Sequence, residues 1–119
     1  MTAVAFEVTG DPVPKARPRF AGGRVHTEAR TRVAEERIAY AYLAAGGRRF
    51  SGPVEVFCSF FRANQRRVDV DNLVKTVLDG LNGIAWADDS QVVRLVAQKE
   101  VFPEAPSTIV TVRQAKEAA

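Results

Sequence analysis

Apolar and polar residues alternate from the start of the chain. Val4, Phe6 and Val8 fall on one side of "TAVAFEVTG", the pattern of a half-buried strand. Over "DPVPKARPRFAGGRVH" the alternation is lost. Its three prolines lack backbone donors and bias the residues before them away from helix, so this stretch reads as an extended loop. Helical spacing follows from Glu28 to about Ala45. Val33, Ala34, Ile38, Ala41, Tyr42 and Ala45 mark an apolar stripe there, which Gly46 and Gly47 end. "GPVEVFCSFFRA" sets Val54, Val56, Cys58 and Phe60 on one face and Phe57 and Phe61 on the other, which predicts a central strand covered on both sides. A second helix is expected from about Asn72 to Leu81, with Leu73, Val77, Leu78 and Leu81 facing the core and Asn82-Gly83 stopping it. "VVRLVAQKEVF" and "TIVTVR" read as strands on either side of the turn "PEAPS". The order β-α-β-α-β-β predicts an α+β protein: one small domain over residues 1–119, with a mixed sheet and two main helices.

Composition narrows the class. At 119 residues with 46% hydrophobic positions, the chain suffices for one modest core. No apolar run approaches the ~20 residues that span a membrane, and the first residues lack a basic leader and a long apolar segment, so a cytoplasmic protein without a signal peptide is expected. The single cysteine, Cys58, sits in a strand-like run and excludes an internal disulfide. The net charge of +3 is modest, but it is unevenly spread. Between Pro14 and Arg67 twelve Lys/Arg face four Glu. Thirteen of the seventeen basic residues are arginine, whose planar fork suits phosphate. A basic first half points to an anionic partner such as nucleic acid.

The acidic residues cluster later. In "RRVDVDNLVKTVLDG" Asp69 and Asp71 stand two positions apart, and in an extended segment such residues project to one side about 6.6 Å apart. Asp71 also suits the cap of the following helix, where a carboxylate gains ~0.3–1 kcal/mol from the dipole. Capping accounts for one aspartate and leaves the other unexplained. Two carboxylates aimed at one point suit a hard cation such as Mg²⁺. A second pair, Asp88-Asp89, precedes the third strand. A β-α-β arrangement brings the flanking strands together, and with them Asp89 towards Asp69 and Asp71. Lys75 follows Asp71 by four residues and Asp79 follows Lys75 by four. That strip reads either as a solvated, salt-bridged face or as a lysine beside a metal. An EF-hand is excluded, because Leu73 and Val74 occupy the positions that need an oxygen ligand and a glycine. There is no phosphate-binding glycine loop of the Walker type, and the only histidine, His26, lies in the basic loop.

The run "DVDNLVKTVLDGLNG", followed by a tryptophan and "DDSQV", resembles the RusA family of Holliday junction resolvases (crossover junction endodeoxyribonucleases). The early "PVPKARPRF" is similar to the basic, proline-rich segment of many members, and the likeness spans roughly Phe6 to Val112. The resemblance implies that Asp69, Asp71 and Asp89 bind a divalent metal and that Lys75 is essential for catalysis, with Asp88 and Asn72 as supporting candidates. It implies Mg²⁺, with Mn²⁺ as a substitute, and a homodimer that nicks two opposing strands of a four-way DNA junction to leave 5′-phosphate and 3′-hydroxyl ends. Lys15, Arg17, Arg19, Arg24, Arg66 and Arg67 are the expected DNA-backbone contacts. The first strand and the loop after it are the candidates for the dimer interface. Two other readings share the basic half: a DNA-binding module without catalysis, and a metal-dependent nuclease for flaps or other branched DNA.

Overall fold

The computed structural model describes residues 3–16, 19–21, 24–26 and 29–116, with the side chains of 19–21 and 24–26 left aside. Its main sheet has four strands in the order β1 (Ala3–Thr9), β6 (Ser107–Gln114), β4 (Val54–Arg62), β5 (Val92–Val101). β6 pairs antiparallel with β1 and β4, whereas β4 and β5 run parallel, from Val54 opposite Val92 to Arg62 opposite Val101. This is the mixed sheet of an α+β protein, as the sequence pattern predicts. The proline-rich stretch departs from expectation. Its second half forms a small antiparallel ribbon, β2 (Arg19–Ala21) with β3 (Arg24–His26). Gly-Gly between two short β-prone runs is a hairpin signal that the prolines obscure.

Both helices lie on one face of the sheet. Val4 and Phe6 of β1, Val54, Val56, Cys58 and Phe60 of β4, and Val110 and Val112 of β6 make one core with them. α2 (Val70–Leu81) contributes Leu73, Val77 and Leu81, and Trp86 seals its far end. α1 (Ala29–Ala44) sits differently from its predicted stripe. Val33 is 49% exposed and Ala45 is exposed, while Thr31, Ile38 and Tyr42 are buried. The helix turns Thr31 inward because its hydroxyl accepts from the amide of Ala16 at 3.2 Å. At the other end the amides of Gly46 and Gly47 return to Leu43 and Tyr42, a Schellman turn that needs the positive φ of Gly46.

Among the described residues no layer covers the second face of β4. Phe57 lies under the guanidinium groups of Arg113 and Arg94, 4.7 and 5.5 Å from its ring centre, and Phe61 meets the edge of Phe102. Long side chains therefore half-bury these rings where a second packed layer was expected. Burial raises the thiol pKa of Cys58, on the helix side, to about 12, which makes it an apolar core group.

The two helices touch at Gly80. A Cβ there would come within 2.9 Å of the backbone carbonyl of Glu35, so the close approach requires glycine. Gly80→Ala is expected to destabilise by about 1 kcal/mol. Crowding costs ~1–3 kcal/mol and outweighs the ~1 kcal/mol that alanine returns in helix propensity. Urea denaturation checks this, and an unchanged or higher midpoint would contradict it.

Candidate active site

Asp69 and Asp71 mark the start of α2. The helix begins at Val70, two residues earlier than expected, because Val70 packs against the core and draws Asp71 into the first turn. The cap position belongs to Asp69 instead. Its carbonyl accepts from the amides of Asn72 and Leu73, but its carboxylate makes no capping bond. Both carboxylates are exposed, and neither takes part in an ion pair or side-chain hydrogen bond among the described residues. Two bare carboxylates beside each other at a helix N-terminus are held partly by the dipole. Among the described residues no ion pair offsets their mutual repulsion.

Lys75 lies one turn further along, exposed and without an ion pair among the described residues. The salt-bridged strip does not form. Asp79 turns to Lys15 instead, 2.9 Å away, and Glu35 of α1 holds the same ammonium at 2.6 Å. Lys15 is thus a clamp: its charge is used within the protein, and its amide donates to the carbonyl of Asn72 at 2.9 Å. The hydrogen bond that the ammonium donates to Glu35 leads the causes that raise its pKa above 10.5. A raised pKa stabilises the fold fully below about pH 10.5, and that contribution is lost as pH climbs through the higher folded value. Lys15→Met is expected to cost about 1 kcal/mol, since the partly exposed pairs are screened. Thermal melting should fall by roughly 5 °C at neutral pH, and an unchanged melting point would remove the clamp from the account.

A groove beside this helix end is lined by Arg30, Arg62, Arg66 and Arg67 together with Asp11 and Pro14. Arg62 donates to the carbonyl of Arg66, and the amide of Ala63 donates to Asp11 at 2.9 Å, which fixes the turn after β4. A shallow pocket continues from it along Pro14, Lys15, Arg67, Val68, Asp69 and Asn72. The cationic groove is therefore contiguous with Asp69. Arg30 and Arg62 were not singled out from the sequence; charge density alone does not say which arginines share a face. Arg17 lies outside the described residues, and so do the side chains of Arg19 and Arg24.

Asp88 and Asp89 have separate duties. Asp88 accepts from the amide of Ser90 at 2.9 Å and caps a single 3₁₀ turn, Asp89–Gln91, in a capping box with Gln91. Hydrogen bonds from Ser90 hold its carboxyl below the usual range. Asp89 accepts the indole N–H of buried Trp86 at 2.8 Å. A buried tryptophan needs a partner for its N–H, and that need is the signal by which Trp86 could have been found.

β4 and β5 are parallel neighbours, as the β-α-β reading requires, yet Asp89 does not close on the other two aspartates. Among the described residues no three of His, Cys, Asp and Glu come together. The reason is topological. β4 delivers the chain to the start of α2, where Val68 receives the Lys99 ammonium from the far half of β5. α2 then runs back, and Asp89 precedes Val92 at the near end. A 12-residue helix separates the two ends by about 18 Å.

The chain matches the family described as "Endodeoxyribonuclease RusA" over residues 9–113. A curated relative, "Uncharacterized protein YqaN" of Bacillus subtilis (strain 168), is 31% identical over 143 aligned positions, covering 96% of this chain and 98% of the relative.

Proposed function

Because the chain belongs to the family of the endodeoxyribonuclease RusA, we propose that it is a divalent-metal-dependent Holliday junction resolvase that acts as a homodimer. The observation that carries this reading is the exposed pair Asp69 and Asp71, without ion pairs among the described residues, with Asp69 in a pocket that shares Pro14, Arg67 and Val68 with a groove of four arginines. Their donor set is carboxylate oxygen alone, which fits Mg²⁺ and admits Mn²⁺. When bound, the ion supplies charge neutralisation at the scissile phosphate and an acidified water.

The chain's own residues do the rest. Asp69 and Asp71 hold the ion, and the ammonium of Lys75, unpaired among the described residues and on the same helical face as Asp71, meets phosphate charge as it develops. Arg30, Arg62, Arg66 and Arg67 track the backbone to either side. Asp88 has a capping role, so Asp89 is the third carboxylate, with one oxygen fixed by Trp86. Since Asp89 stands at the opposite end of its own α2, each centre takes Asp69, Asp71 and Lys75 from one chain and Asp89 from the second. Two-fold symmetry then gives two centres for two opposing strands.

Cleavage assays on four-way, flap and linear duplex DNA, with Mg²⁺ or EDTA, test the reading. Cutting confined to Mg²⁺ and strongest on the four-way junction is expected. Equal rates on linear duplex would exclude a resolvase.

A further inference from the structure

We propose that the outer edge of β5 is the surface on which a second copy of this chain docks, pairing antiparallel about a two-fold axis through Ala97. The proposal rests on the homodimer reading above and names its interface. β5 ends the sheet, with β4 on one side and no strand on the other among the described residues. It is ten residues long, and Val93, Leu95, Val96 and Val101 are between 39% and 61% exposed. An edge of this length and apolarity invites pairing unless charge or proline blunts it. β5 has no proline, and its one lysine, Lys99, is turned to the carbonyl of Val68 at 2.5 Å. The opposite edge, β1, shows no exposed large hydrophobic residue.

Charge selects the second copy as the occupant. A two-fold axis perpendicular to the sheet keeps each face on its own side. It must therefore pass through a residue, because neighbours along a strand point to opposite faces. Two mid-strand residues qualify, Val96 and Ala97. Centring on Val96 sets Arg94 against Gln98. Centring on Ala97 sets Arg94 against Glu100, twice by symmetry, while Val93, the extra residue where the β4–β5 register shifts, lies exposed at the end of the same edge. Opposite charges are the favourable cross-strand match. Glu100 is exposed with no ion pair among the described residues, and Arg94 reaches only Glu55, at 3.9 Å. The same axis carries the partner's Asp89 to the end of the sheet that bears Asp69 and Asp71, as a shared centre requires.

Sedimentation equilibrium of the full chain, without DNA or metal, reads the interface apart from the chemistry. The native chain is expected to dimerise. Glu100→Arg sets arginines against each other at both pairs and should weaken the dimer about tenfold or more, and adding Arg94→Glu should restore it. Val93→Lys, at a position 61% exposed and so harmless to the fold, should weaken it independently. A native chain that stays monomeric overturns the proposal, and so do Glu100→Arg and Val93→Lys variants that dimerise as tightly as the native chain. A dimer with this mutational pattern that cuts no DNA upholds the interface and refutes only the catalytic reading.

Discussion

Asp71→Asn is expected to slow junction cleavage about a thousandfold while leaving junction binding in EDTA or Ca²⁺ unchanged. On the proposed mechanism Asp71 is one of the carboxylates that hold the ion, and its removal takes away several kcal/mol of charge stabilisation. A loss of about 4 kcal/mol corresponds to three orders of magnitude in rate. The fold should hardly notice. Asp71 is exposed and makes no side-chain bond among the described residues, so only its favourable place at the helix N-terminus is lost, at ~0.3–1 kcal/mol. A gel assay on a synthetic four-way junction, beside a binding assay in EDTA, separates the outcomes. Cleavage at the native rate would exclude Asp71 from the centre, and loss of binding together with cleavage would make it a contact or folding residue.

Lys75→Met should lower turnover by about a hundredfold, in line with the loss of one donor aimed at developing charge. Metal affinity should persist, because the carboxylates are untouched. Lys75 has no ion pair among the described residues, and its side chain is solvated, so stability should change little. Methionine keeps the length and helix propensity of the side chain while removing the charge. Comparing kcat with Mg²⁺ titration of activity checks both parts. A variant that loses metal binding or unfolds would assign Lys75 a structural role.

Much of this architecture is legible in the sequence because it follows from local period. The alternation of Val4, Phe6 and Val8, the one-sided run Val54, Val56, Cys58 and Phe60, and the spacing of Leu73, Val77 and Leu81 each mark a buried face that the core contains. What period could not supply is rotation and distance. α1 has small apolar residues around its circumference, so the choice of Thr31 over Val33 as the inward residue was left to the amide of Ala16, fifteen positions away. The i, i+4 spacing of Lys75 and Asp79 suggested a local pair, whereas Asp79 is taken by Lys15 from the other end of the sequence.

The position of Asp89 shows the same limit more sharply. Strands joined by a helix were expected to be parallel neighbours, and they are. Parallel strands nevertheless begin at one end of a sheet and finish at the other. The turn that follows β4 and the turn that leads into β5 must therefore lie at opposite ends. Adjacent strands do not imply adjacent loops. Within the described residues of one chain the acidic motif is split, and the proposed dimer is what would reunite its halves.

That reunion can be measured with two inactive variants. Asp71→Asn and Asp89→Asn chains, carrying different tags and co-expressed, yield a mixed dimer by tandem purification. Each homodimer alone should fail to cut a four-way junction in Mg²⁺. The mixed dimer should regain one complete centre, with Asp69, Asp71 and Lys75 from the Asp89→Asn chain and Asp89 from the other, and should nick a single strand. A mixed dimer as inactive as its parents would contradict the account.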